Sequence, residues 1–162
     1  MPSAPSYLRN TESVVAAFGF WPGFHDAPVL GCDYDPAGGG KVVLTLHGWV
    51  MSPEVDERGF YKLTRHHLVR FAFHGIVDAD LDRFNSMGNI LFGLGFSSAE
   101  DFAATGRFSV RLDSALGGDL RGSFFAEAGE VLEVVPCGAD GWRAGSGPPP
   151  EKVPRKPIRG VD

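Results

Sequence analysis

Cysteine is scarce in this chain: Cys32 and Cys137 are the only two, far apart and outside any CxxC spacing. That excludes the disulfide framework of a small secreted domain and any Cys-based zinc or redox motif, so two buried free thiols are expected. No stretch approaches the roughly 18 consecutive apolar residues of a membrane span, and no membrane partner is expected. The N-terminus, MPSAPSYLRN, has no basic region followed by an apolar run, so no secretory signal is read there. These absences together point to a soluble protein of the cytoplasm. HExxH, GxSxG and GxxxxGK[ST] are also missing, and there is no internal repeat. Gly38-Gly39-Gly40 lacks both the spacing and the following helix of a phosphate loop and reads as a flexible turn.

Positive charge is in short supply as well. Fifteen Lys and Arg face 20 Asp and Glu, for a net charge of -5. Four of the bases (Lys152, Arg155, Lys156 and Arg159) lie near the C-terminal end, so the body before them is more acidic than the whole. An acidic body argues against nucleic-acid binding, which needs Lys and Arg on phosphates. It serves solubility and also permits attraction to a basic partner.

What remains is ordinary globular material. Hydrophobic residues make up 43% and charged residues 22% of 162, enough for one domain with a real core. Thirteen Phe stand against three Tyr, and Phe has no polar handle, so most of these rings should be buried. Twenty-two Gly and 12 Pro imply many turns between short elements. The pattern divides the chain into a single α+β domain over residues 1–137 and a basic Pro/Gly-rich tail over 138–162. The tail has no periodicity, which predicts a disordered or loosely docked segment with Trp142 as its anchor.

Within the domain, Val14, Val15, Ala17 and Phe18 give a partial helical stripe, capped by Asn10 or Thr11 and ended by Gly19. Pro22 prevents its resumption. From Ala27 the period changes to two. Leu30, Cys32 and Tyr34 are expected on one face of a first strand, and Val42, Leu44 and Leu46 on one face of a second, with Thr45, His47 and Trp49 on the other. The second strand is expected to end at Val50, before a charged connection from Ser52 to Gly59. A long strand follows over roughly 60–77, where Val69, Phe71 and Phe73 alternate with Arg70, Ala72 and His74. Ile90, Phe92, Leu94 and Phe96 are expected to share a face. Ser97 to Glu100 is expected to cap one helical turn through Ala104. Strands at Arg107 to Asp113, Leu120 to Ala128 and Glu130 to Pro136 complete the set, the last two joined as a hairpin through Glu127-Ala128-Gly129-Glu130. The predicted fold is α+β: a mainly antiparallel sheet of about seven to eight strands with one short N-terminal helix packed on it.

Four segments occur together in order: Trp21-Pro22-Gly23-Phe24-His25-Asp26-Ala27 with Val29, Val69-Arg70-Phe71-Ala72-Phe73-His74-Gly75-Ile76, Phe84-Asn85 followed by Asn89-Ile90-Leu91-Phe92, and Val131-Leu132-Glu133-Val134-Val135-Pro136-Cys137. The set resembles the Immunity protein 50 family of bacterial polymorphic-toxin systems over about residues 14–137. WPxFHDA is the most specific part. The resemblance implies an α+β fold, no catalysis and no cofactor, and a partner that is a cognate toxin domain. It brings no agreed set of binding residues.

Read residue by residue, the sites stay open. Trp21, Trp49 and the acids Asp78, Asp80 and Asp82 are the candidate toxin contacts, because tryptophan anchors interfaces and an acidic rim speeds encounter. The three acids fall at i, i+2 and i+4, which puts them on one side of an extended chain. They read equally as a solvated edge that discourages strand-to-strand aggregation. Trp21, Phe24, His25 and Asp26 form an expected structural corner between helix and first strand. Adjacent His25 and Asp26 are expected to point apart, each to its own partner. No catalytic residue and no metal site is assigned, since the histidines lack ligand spacing. A structural or self-associating domain and a small metal-dependent enzyme using His25 and Asp26 are the alternatives.

Overall fold

The computed structural model describes residues 2–85, 89–115 and 120–141. Expectations for Trp142, for the tail beyond 141 and for the turn residues 86–88 and 116–119 lie outside the described residues. In chain order the elements are β1 (Leu8–Arg9), α1 (Thr11–Phe18), β2 (Val29–Asp35), a 3-10 turn (Ala37–Gly39), β3 (Lys41–Val55), β4 (Tyr61–His74), β5 (Val77–Asp82), β6 (Leu91–Phe96), α2 (Ala99–Thr105), β7 (Phe108–Ser114), β8 (Arg121–Ala126) and β9 (Ala128–Pro136). The α+β class is as expected. Nine strands and two helices among the described residues replace the seven to eight strands and one helix read from the sequence.

The strands form two sheets. The first runs β1-β9-β4-β3-β2 and the second β5-β8-β7-β6. Only β1 with β9 is parallel. Val69, Phe71 and Phe73 of β4 are fully buried between the sheets, as their alternation predicts. Phe73 meets Phe124 of β8 at 5.3 Å and Phe108 of β7 at 6.2 Å. Burying so many rings in one cluster supplies the dominant favourable term of folding.

The chain passes between sheets at two adjacent places. It leaves β4 for β5 through Gly75-Ile76 and returns from β8 to β9 at Glu127. The Glu127 N–H donates to the His74 carbonyl at 2.9 Å, which locks the two crossings together. Gly75 has φ 66°, and a Cβ there would sit 2.7 Å from Glu127 Oε2. The expected hairpin between β8 and β9 is therefore not formed: its two strands belong to different sheets. Tight turn chemistry looks the same in sequence whether the next strand pairs with the last or steps to another layer.

Three alternation patterns were broken by single inserted residues. Leu30 is the extra residue in the β2–β3 ladder, so Val29 is buried while Leu30 and Tyr34 face solvent. Phe92 is the extra residue between Leu91 and Gly93, so Leu91 and Leu94 are buried and Phe92 is exposed. Arg65, at φ 52°, is the extra residue opposite Gly48–Val50. A bulge shifts the side-chain alternation of everything beyond it.

Local ends also differ in detail. Asn10 adopts φ 61° with no side-chain cap; its amide instead donates to the Val131 carbonyl and ties α1 to β9. Gly19 ends α1 as expected, at φ 87° with its N–H on the Val15 carbonyl. Helix α2 is a seven-residue helix whose cap is Ser98 with Asp101 in a reciprocal box, in place of Ser97 with Glu100. Ser97 is used elsewhere: its hydroxyl accepts the Ser109 N–H and fastens the segment to β7.

Candidate functional site

The stretch from Trp21 to Val29 connects the free edges of the two sheets. Asp26 N–H donates to the Leu91 carbonyl at 2.8 Å, Leu91 N–H to Ala27, and Leu94 N–H to Gly23 at 3.1 Å, which joins the stretch to β6. On its other side the His47 N–H donates to the Pro28 carbonyl at 3.0 Å, which joins it to β3. Trp21 and Phe24 fill the space beneath. Trp21 is 6% exposed and meets Phe71 and Phe96 edge-on or tilted, and Phe24 meets Phe71 at 5.8 Å. Trp21 thus belongs to the structural corner, with little of its ring left at the surface.

His25 and Asp26 do not point apart. Phe24 at φ 55° and Asp26 at φ 61° take left-handed conformations, so the chain here is not extended. His25 Nδ1 lies 3.0 Å from Asp26 Oδ2, and both side chains are more than half exposed. The His25 ring stands edge-on to Phe92 at 5.0 Å. Left-handed φ is costly for a residue such as Phe and persists only where the surroundings enforce it. Here the bonds to Leu91 and Leu94 enforce it.

A small groove of about 190 Å³ lies between this corner and β3 and is lined by Pro22, Phe24, His25 and Asp26 against Trp49, Val50 and Met51. It exists because β2 stops short: β2 pairs with β3 only as far as Leu46, and after the Pro28–His47 bond no described strand flanks β3 on that side. Met51 is exposed and Trp49 half-buried in its wall, and the exposed Phe92 lies against His25.

Behind Trp49, on the outer face of the first sheet, His47 is buried at 3% exposure. Its Nε2 lies 3.0 Å from His66 Nδ1, and Trp49 packs on both rings. Gly141, in the turn after β9, closes over His47. The domain therefore extends past Cys137 to at least Gly141. Burial lowers the His47 pKa to about 4, reinforced by the neighbouring His66 charge. Sequence spacing alone does not bring this pair together. It was readable only by folding β3 and β4 back on each other and counting across the turn, which requires knowing that β3 continues to Val55.

The acids Asp78, Asp80 and Asp82 are exposed on β5, an edge strand. They do not form the expected one-sided row, because Asp78 sits at φ 50° and the β5–β8 ladder skips between Val77 and Asp80. Asp82 lies 3.5 Å from Arg121 and 3.7 Å from Arg83. Arg111, Asp113 and Arg121 line an open groove with Asp80 and Asp82, so the acidic character is locally offset.

Cys32 and Cys137 are free and partly buried, and burial raises both thiol pKa values, with nearby Asp charges adding to the effect. Such thiols are poor nucleophiles. Among the described residues no group of three or more His, Cys, Asp or Glu is placed to hold a metal ion, and no helix is long and apolar enough to cross a membrane. Compared with protein-family models, curated proteins and solved structures, the chain matches none.

Proposed function

We propose that this chain is a non-enzymatic immunity protein that binds and neutralises a cognate toxin domain in the cytoplasm. The resemblance of the WPxFHDA stretch and the strands around Val69, Ile90 and Val131 supports the class. The observation that carries the binding role is the exposed Phe92, set edge-on to His25 beside a groove walled by Trp49 and Met51. Aromatic and methionine side chains at the surface, rimmed by charge, are the compositional mark of an interface. A bulge holds Phe92 outward although the core is otherwise rich in phenylalanine. In this reading Trp49, Met51, His25 and Phe92 contact the toxin, and Asp78, Asp80 and Asp82 act at a distance by speeding encounter. Free thiols suit a reducing compartment.

Co-expression with the toxin encoded beside this gene tests the proposal. The chain should protect the cells and co-purify with the toxin, and Phe92→Ala with Trp49→Ala should weaken both effects. Failure of protection and of co-purification by the unaltered chain would overturn the reading.

A further inference from the structure

After Gly23 the corner stretch parts from β6, the edge strand of the second sheet. Its bonds to β6 run antiparallel, from Asp26 on Leu91 to Gly23 on Leu94, and the next pair in that register is Trp21 with Phe96. Among the described residues no main-chain bond joins those two. Leu94 N–H points away from β7, because it donates to Gly23, whereas Ser97 N–H donates to Ser109 on the β7 side. Residues alternate along a strand, so the Phe96 N–H and carbonyl point away from β7 as well. They form an unpaired sheet edge. The wall opposite is the N-terminal arm, residues 2–7. Tyr7 anchors the arm: its ring stacks on Phe108 at 4.7 Å, and its hydroxyl donates to the Ser97 carbonyl. Pro2 and Pro5 have no N–H, which makes the arm a poor ladder partner for β6. Arm and edge enclose a gap of about 550 Å³, and no charged side chain lines it. Trp21 lines it too. That residue is only 6% exposed, yet its indole N–H meets no acceptor among the described residues. Buried donors nearly always find an acceptor.

We infer that this gap takes up an extended, uncharged peptide segment of another protein, added to β6 as a further strand. The groups left over decide the ligand class. Phe96 offers one donor and one acceptor along the edge, and Trp21 offers a second donor from the core side. A small acceptor molecule satisfies the indole alone. A peptide main chain carries a carbonyl and an N–H on every residue, so it pairs with the edge and reaches the indole as well. At about 3.4 Å per residue, the edge from Leu94 to Ser97 accommodates roughly three to four residues. The rest of the lining is mostly small (Ser3, Ala4, Ser6, Gly95 and Ala99 among others), so the main chain supplies most of the contact. With no charge in the lining, an acidic or basic segment finds nothing to pair with and gives up its water for no return. The contacts proposed for the toxin, Trp49, Met51 and His25, line the separate groove against β3, so this inference does not depend on that reading.

Titration of the isotope-labelled full chain with the capped peptide acetyl-Ala-Val-Ala-amide, followed by NMR without any toxin, tests it. Saturable shifts are expected at the Trp21 Nε1–H and the Phe96 N–H, with a Kd of about 1 mM for so short a strand. The same peptide with its three residue amides N-methylated has lost its donors and should bind at least about tenfold more weakly. Trp21→Phe keeps a ring in the core and removes only the indole donor. It should weaken binding about three- to tenfold, read at the Phe96 N–H. Should that variant fail to fold, the comparison of the two peptides on the unaltered chain still decides. The inference is overturned if either resonance stays unmoved up to about 10 mM peptide. It is equally overturned if the N-methylated peptide binds as well as the parent, since main-chain pairing would then play no part.

Discussion

His47 Nε2 lies 3.0 Å from His66 Nδ1 across the β3–β4 ladder. The direction follows from the far side of His66, whose Nε2 lies 3.2 Å from the Leu63 carbonyl. A carbonyl only accepts, so with both rings neutral the His66 proton sits on Nε2 and His47 Nε2 donates to His66 Nδ1. Burial favours the neutral form of His47.

Stability should therefore fall in mild acid. His47 titrates near its ordinary 6.5 when unfolded and at about 4 when folded. The unfolded chain binds the proton first, so the contribution is complete above pH 6.5 and is lost as pH falls toward 4. The loss is of order 1–3 kcal/mol. Urea melts across this range should show it, and His47→Gln should remove that part of the slope while leaving the part due to carboxylates. An equal slope in both proteins would refute the assignment.

Glycine is required where another backbone approaches. At Gly122, φ 132°, a Cβ would lie 1.9 Å from the Asp80 carbonyl oxygen of the paired strand. Gly122→Ala must push β5 off β8 and should cost more than about 3 kcal/mol. At Gly48 the clash is with the rim of the Phe18 ring at 2.9 Å, which can shift, so Gly48→Ala should cost roughly 1–3 kcal/mol. Thermal melts of both variants would rank them, and a Gly122→Ala protein as stable as the original would contradict the account.

The corner separates core from surface within six residues. Trp21→Ala removes a ring buried against Phe24, Phe71 and Phe96 and should cost about 3–5 kcal/mol. Asp26→Asn breaks only an exposed pair with His25 and should change stability by less than about 1 kcal/mol. Denaturant midpoints measured side by side check both, and a similar loss from each would show that the His25–Asp26 pair is structural.

The cap of α2 gives a smaller effect. Ser98 Oγ accepts the Asp101 N–H at 3.2 Å, and the Asp101 carboxylate accepts the Ser98 N–H. Ser98→Ala should cost about 1 kcal/mol, whereas Glu100→Ala, at the position expected from sequence to complete the box, should cost little. Hydrogen exchange at the first turn of α2 would report the difference.

The sequence by itself determined the inward row of β4, the end of α1 at Gly19, the β2–β3 hairpin and the general α+β class. Each of these follows from a local period or from the conformational freedom of one residue, so each could be read without knowing what lay across from it. It did not determine the faces of β2 and β6, because Leu30 and Phe92 are bulges, and a bulge is defined by the partner strand. Nor did it show that Glu127 steps between sheets. The tertiary structure alone decided that His25 meets Asp26, that His47 meets His66, and that among the described residues the β3–β4 pair outruns its neighbours. In each case the deciding interaction joins the chain to a distant segment: Leu91 and Leu94 hold the corner in its left-handed turns, and β4 pairs with β3 beyond the ends of β2 and β9.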